Sequence, residues 1–307
     1  MTEMGTVANQ TAHTAQLMRW ATYASVSVAA VLIVTKVVAW VLTDSVSLLS
    51  TLIDSLLDAA ASVINLVAVR HALQPADDEH RFGHGKAEPL AGLAQSAFIV
   101  GSALFLIFES IERIAHPTMI VNPDIGYSVM VFSIVVTVGL VVFQRYVVRK
   151  SGSLTISADS LHYQTDVMIN GSVLLSIFLA SELGMTLADP IFAIGIALFI
   201  SYTAWKIGME ALNILMDHEL PDDDRRKIIE IACAQDGVEG VHDLRTRFSG
   251  TQVFIQMHVE MDGDMPLRRA HEIADVVELE VGSAYPNSEV IVHQDPEGIE
   301  DAEREQV

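Results

Sequence analysis

Two pairs of ionisable residues stand out for their spacing inside otherwise apolar runs: Asp54-x-x-x-Asp58 and His162-x-x-x-Asp166. Four residues is close to one helical turn, so each pair presents both side chains on one helix face. Two such helices packed together offer three carboxylates and one imidazole, a four-ligand set suited to a small divalent cation. The bland alternative is that these residues hydrogen-bond between helices as packing glue. Neither segment carries a lysine to neutralise its acids, which favours an ion. Asn65 and Asn170, further along the same segments, are accounted for by interhelical hydrogen bonding.

Two other groups lie outside the apolar runs. Asp77 to His80 is i, i+3 and His80 to His84 is i, i+4, so a turn or short helix could converge all three; a solvated, histidine-rich loop is the other reading. His242, His258, His271, His293 and Asp295 all fall in the C-terminal third. A lone histidine is ordinarily a hydrogen-bonded structural residue, but four in one small domain, with an acid two positions beyond the last, favour a metal cluster. Cys233 is the one cysteine, so no intrachain disulfide is possible and a metal must use nitrogen and oxygen ligands. Its expected place is a small core position. The twelve methionines read as apolar filler.

The elements that must position these residues follow from hydropathy. The 307-residue chain is 51% hydrophobic, with a mean hydropathy of +0.39. After a polar tail (1–16), apolar segments run over 17–42, 46–71, 89–115, 124–148, 154–182 and 189–216. Each approaches or exceeds the roughly 20 residues that cross a bilayer. No cleavable signal peptide is evident. Arg70, Arg81 and Lys86 flank the 2–3 connection, and Arg145, Arg149 and Lys150 the 4–5 connection, whereas the other connections lack basic residues. The positive-inside rule therefore places these two loops and both termini in the cytoplasm. Lys36 and Lys206, within spans, need a partner or a snorkelling route. Trp20, Trp40 and Tyr127 suit an aromatic belt.

Residues 218–307 hold 8 Lys/Arg against 22 Asp/Glu, out of a net charge of −21 for the whole chain. So acidic a domain argues against nucleic acid and anionic lipid as partners and suits cations. Pro221 with three following aspartates signals a helix start. The pattern predicts a helix over 222–235, strands over 241–248 and 253–261, a helix over 266–283 and a strand over 289–293. The expected architecture is thus a six-helix transmembrane domain (17–217), a small cytoplasmic αββαβ domain of the ferredoxin-like, metallochaperone-like α+β class (218–299) and a short tail (300–307).

Taken together, the six spans, the Asp54/Asp58 and His162/Asp166 pairs, the Gln74-to-Lys86 loop QPADDEHRFGHGK and the ending His293-Gln-Asp-Pro296 resemble the cation diffusion facilitator family. More narrowly, they resemble its bacterial YiiP-type zinc/ferrous-iron efflux pumps. The resemblance covers residues 15–297. It implies that Asp54, Asp58, His162 and Asp166 bind one transported ion tetrahedrally, with Asp77, His80 and His84 as a secondary site. It further implies a binuclear zinc site at His242, His258, His271, His293 and Asp295, where Asp295 bridges two ions and Gln294 contributes its backbone carbonyl. Lys86 would form a charge interlock with Asp217, a simple snorkelling lysine being the alternative, and Leu161 would belong to a hydrophobic gate.

Ligands must shed protons before they bind metal. Protons reaching His162 and Asp58 would therefore displace the ion, which gives metal/proton antiport by alternating access. The expected protein is a homodimeric exporter of Zn²⁺, or of Fe²⁺ or Cd²⁺, in a bacterial inner membrane, with zinc also resident in the cytoplasmic cluster and no organic cofactor. A membrane-anchored metal sensor is the alternative, but it would not need ionisable pairs deep in two spans. An enzyme is disfavoured: His271-Glu-Ile-Ala-Asp275 is not His-Glu-x-x-His, and no serine elbow or phosphate-binding loop is present.

Overall fold

The computed structural model describes residues 2–43, 46–115, 124–183, 188–250 and 252–298. Six long helices come first: α1 (Thr2–Thr43), α2 (Val46–Ala72), α3 (Ala87–Ala115), α4 (Asp124–Ser151), α5 (Leu154–Leu183) and α6 (Ala188–Leu215). Then follow α7 (Asp222–Cys233), β1 (Gly240–Ser249), β2 (Gln252–Met261), α8 (Leu267–Ala284) and β3 (Ser288–Pro296). The chain divides into two compact units, Met1–Leu212 and Asn213–Val307. The expected C-terminal tail and most of the three lysine-free connections lie outside the described residues.

Among the described residues, four stretches are long and apolar enough to cross a bilayer: His13–Leu42, Ala87–Glu112, Ser128–Ser151 and Pro190–Leu215. The remaining two long helices, α2 and α5, are those that carry the ionisable pairs. α1 departs from expectation. The stretch read as a polar tail continues the helix almost to the N-terminus, because it contains no proline and is rich in helix-forming alanine, glutamine and methionine. At 1.5 Å per residue this helix is roughly 63 Å long, twice the hydrocarbon thickness.

The first unit is polar inside and apolar outside. Ser25, Ser62, Asn65, Gln144, Asp159 and His162 are buried, whereas Val34, Leu42, Phe105, Phe108, Val142 and Phe199 are exposed. That is the inversion expected where lipid is the solvent. α5 sits at the centre. From Ser153 to Tyr163 every residue but Ser157 is buried. Ala158 and Leu161 pack against Ile99 of α3 and Ile200, Ala204 and Ile207 of α6. Ile156 packs against Met18, Ala21, Val69 and Val147 of α1, α2 and α4. α6 approaches α3 so closely at Gly208 that a Cβ there would lie 2.8 Å from Ser96 Oγ. The two lysines within spans find partners: Lys36 Nζ donates to Ser55 Oγ at 2.6 Å, and Lys206 Nζ lies 4.7 Å from the centre of the Tyr202 ring.

In the second unit β1 pairs antiparallel with β2, and β2 parallel with β3. Alternation along β2 sends Ile255, Met257, Val259 and Met261 into a core with Ile228 and Ala232 of α7 and Ile273, Val277 and Val281 of α8. Gln256, His258 and Glu260 consequently point to the sheet's other face. Cys233 is exposed rather than in the core, because α7 turns Ile228 and Ala232 inward and position 233 falls off that face.

Candidate metal centres

The first centre joins α2 to α5. His162 Nε2 lies 2.8 Å from Asp58 Oδ1, and one ligand atom from each of Asp58, His162 and Asp166 falls within 4.8 Å of the others. The helical repeat puts Asp166 one turn beyond His162 on the same face. His162 is 8% exposed and is flanked by Phe98, whose ring stands edge-on with centroids 6.3 Å apart. Asp54 occupies α2 one turn before Asp58, but its side chain lies outside the described residues. Leu161, next to His162, is packed in the α3–α5–α6 cluster.

One turn before His162 the structure shows a residue that spacing arguments missed. Asp159 is 2% exposed and is held by neutral donors from three other helices. Ser25 Oγ donates at 2.7 Å, Asn65 Nδ2 at 3.0 Å and Gln144 Nε2 at 2.7 Å. Beside them the Ser62 and Tyr163 hydroxyls share a 2.9 Å hydrogen bond. Asn65 thus makes the interhelical hydrogen bond expected of it, with a carboxylate as its acceptor.

The second centre is the α2–α3 loop. Asp77 Oδ1 accepts the backbone N–H groups of Glu79 (3.0 Å) and His80 (2.7 Å), closing a turn. The His80 N–H is the main reason that the Asp77 carboxyl sits below its ordinary range; burial opposes it, and the Glu79 N–H and the His84 and His80 imidazoles lower it further. Gly83 takes the left-handed conformation, φ 76°, which glycine adopts without strain; Gly85 does not. The fold brings Asp77, His80 and His84 within 4.8 Å by one ligand atom each. His84 is buried, and its Nδ1 has no hydrogen-bond partner.

The third centre is built by strand register. His242 lies opposite His258 across β1 and β2, and His258 opposite His293 across β2 and β3, so three imidazoles form a row on the sheet face away from the helices. Asp295, two residues beyond His293, shares that face. Its Oδ2 lies 2.7 Å from His258 Nδ1 and 3.2 Å from His242 Nε2, and its Oδ1 3.2 Å from His293 Nε2. Burial would raise the Asp295 carboxyl, but the His258 hydrogen bond and the neighbouring imidazoles outweigh it and hold the group below its ordinary range. His242 adds a close approach to Glu260, 2.8 Å from Nδ1, yet neither of its ring nitrogens has the alignment of a hydrogen bond. Convergent donor atoms without hydrogen-bond alignment fit a metal ion better than a salt bridge. Gln294 lies between His293 and Asp295, in register with Val259 on the core side. His271 does not join the group within one chain. It is exposed on α8, 3.6 Å from Asp275.

Lys86 precedes α3 in the first unit, and Asp217, in the second, lies 3.5 Å from Arg247.

Comparison with known proteins covers both units. Residues 22–216 match the family model described as the cation efflux transmembrane domain, and residues 220–297 the model of the cation efflux protein cytoplasmic domain. The cation-efflux pumps FieF of Salmonella paratyphi A and Salmonella agona (strain SL483) are each 50% identical over 281 residues, covering 92% of this chain and 93% of the relative. Among solved structures, MamM-CTD 215-293 is 28% identical and covers 24% of this chain and 96% of its own, with a TM-score of 0.24, too low to carry a comparison of folds.

Proposed function

Since the chain belongs to the cation diffusion facilitator family, whose members are multi-pass membrane transporters of cations and not enzymes, we propose that it exports a divalent transition-metal ion in exchange for protons, working as a homodimer in a bacterial inner membrane. The observation that carries this reading is the meeting of Asp58, His162 and Asp166 between α2 and α5. Asp54 is the fourth ligand. An ion-sized group of carboxylates and imidazole inside a membrane protein is costly, and such groups mark ion paths. Zinc ranks first among the cargoes because imidazole with carboxylates suits it and it binds more tightly than ferrous iron at equal availability. Cadmium and iron are the other candidates.

The His162–Asp58 contact supports proton coupling. The same lone pairs that would hold the metal are joined here by a hydrogen bond, so a proton and an ion compete for them. Ion loads from the cytoplasmic side, the helices rock outward, and protons entering from outside release it. Leu161, within the α3–α5–α6 packing, acts as a gate beside the site. The family resemblance would make Lys86 and Asp217 a charge interlock. The termini and the 2–3 and 4–5 loops face the cytoplasm.

The loop trio Asp77, His80 and His84 is a secondary metal site. The row of His242, His258 and His293, with Asp295 bridging and the Gln294 carbonyl added, is a resident zinc site of structural or regulatory role. When bound, its zinc supplies positive charge that offsets the repulsion of two acidic domains. Dimerisation is supported by the match to the family's cytoplasmic domain and by the histidine row lying on the sheet face opposite the one that α7 and α8 cover. His271 can complete that site only through a second copy.

The test is zinc flux in proteoliposomes under an imposed pH gradient. Gradient-driven flux in the native protein, absent in both Asp58→Ala and His162→Ala, is the expected result. Flux that persists in folded Asp58→Ala would falsify the assigned path; flux indifferent to the pH gradient would remove the antiport.

A further inference from the structure

His71 stands outside every group discussed so far. It occupies the last turn of α2 and is exposed, with its ring centroid 4.5 Å from that of His84 and the two planes at 66°. His80 lies on His84 as well, at 4.6 Å. His84 is therefore gripped between two imidazoles while its own Nδ1 has no hydrogen bond and its Nε2 is 3.4 Å from Asp77 Oδ2. A buried imidazole nitrogen without a partner is unusual in a folded protein and calls for an explanation such as an ion.

The spacing suits one. Two imidazoles on one tetrahedral ion with metal–nitrogen bonds of about 2.0–2.1 Å hold their ring centroids roughly 5 Å apart. Both histidine pairs come near that separation, and Asp77, His80 and His84 are already converged to 4.8 Å. His71 is not within that close group, but its exposed side chain hangs from a helix end with its ring against His84, and the site needs it to rotate a nitrogen inward.

We propose that His71 is the fourth ligand of the loop centre, which makes it a closed His₃Asp site for zinc or cobalt rather than a three-ligand site with an open position. The proposal rests on the reading of Asp77, His80 and His84 as a metal site. Four protein ligands characterise structural zinc sites, and three with an open position characterise exchanging ones. A closed site would also fasten the end of α2, the helix that carries Asp58, to the start of α3. Loop metal would then tie down two of the helices that surround the transport path.

The experiment uses full-length protein in detergent in an Asp58→Ala/His258→Ala background, which silences the other two centres. Cobalt absorption reads coordination number, since four-coordinate cobalt absorbs several-fold more strongly than five- or six-coordinate cobalt, and competition with a chelator gives zinc affinity. The variants are His71→Gln, His71→Phe, which keeps an edge-on ring against His84, and His80→Ala. Both His71 variants are expected to weaken the cobalt bands and lower zinc affinity at least about tenfold, and His80→Ala to abolish both. If His71→Phe matches the background protein while His80→Ala loses the metal, His71 is only a packing partner and the proposal is overturned. If His80→Ala also leaves binding unchanged, the loop reading itself is wrong.

Discussion

Gln144 of α4 and Asp159 of α5 meet at 2.7 Å through the amide Nε2 and carboxylate Oδ2, and the same amide reaches Ser25 of α1 at 2.9 Å. With Asn65 of α2 added, four helices converge on one carboxylate, one turn before His162. Replacing Asp159 with leucine would leave Asn65 Nδ2 and one N–H of the Gln144 amide without an acceptor, at about 1–3 kcal/mol each, while Ser25 Oγ keeps the Ala21 carbonyl. Asp159→Leu is expected to lower stability by on the order of 3 kcal/mol or more and to displace His162, whereas Asp159→Asn keeps an acceptor and loses less. Thermal unfolding in detergent ranks the two; equal midpoints for leucine and native protein would show that the network is dispensable.

Asp166→Asn preserves volume but removes charge from a three-residue group that includes His162 and Asp58. Zinc flux is expected to fall at least about 10- to 100-fold, the loss that changing even an outer-shell partner of a metal ligand brings, with little change in unfolding temperature. Flux within twofold of native would take Asp166 out of the ligand set.

Gly83, at φ 76°, has open space where a β-carbon would go, so Gly83→Ala costs only the left-handed backbone strain, about 1–2 kcal/mol. That strain falls on the turn holding His80 and His84. Zinc affinity at the loop is therefore expected to drop while transport-site binding stays unchanged, both read by calorimetry. Weakening at both sites would mean that the strain spreads beyond the loop.

Because the Asp295 carboxyl is held below its ordinary range, its folded-state pKa is lower than its unfolded one. The stability it contributes is fully present above the unfolded value, near 3.9, and is lost as pH falls through the folded value. Chelator-treated native protein should therefore lose stability in the second unit between about pH 5 and the folded pKa, and Asp295→Asn should show a flatter profile over that window. Parallel profiles would remove Asp295 as the source.

Lys86→Glu is expected to impair transport, and Asp217→Lys added to it to restore part of the loss. If the double variant is as poor as the single one, the interlock is withdrawn and the 3.5 Å pair of Asp217 with Arg247 stands without it.

What could be read from sequence was set by how local the cause was. A four-residue spacing fixes a helix face, so Asp58, His162 and Asp166 were visible before any coordinates, and alternation on β2 separated His258 from the core. Element limits fell within a few residues for the same reason, apart from α1, where a polar stretch of helix formers hid its continuation. Asp159 was invisible because its partners Ser25, Asn65 and Gln144 are neutral and lie on three other helices. Its one sequence signal was a third ionisable residue on the same helix as His162. His71 was hidden as an ordinary basic residue in a last turn. Cys233 misled because helix face depends on where α7 packs, which its composition does not reveal.

The parallel pairing of β2 with β3 sets the histidine row by counting. Neighbouring residues on a strand point to opposite faces, so shifting β3 by a single position would swing His293 and Asp295 into the apolar core of the unit and bring Gln294 out in their place. Small slides of the strand cannot tune such a cluster. It is either assembled or dismantled, and an insertion of one residue ahead of Ser288 that carried through the strand would act as a frame error written in three dimensions.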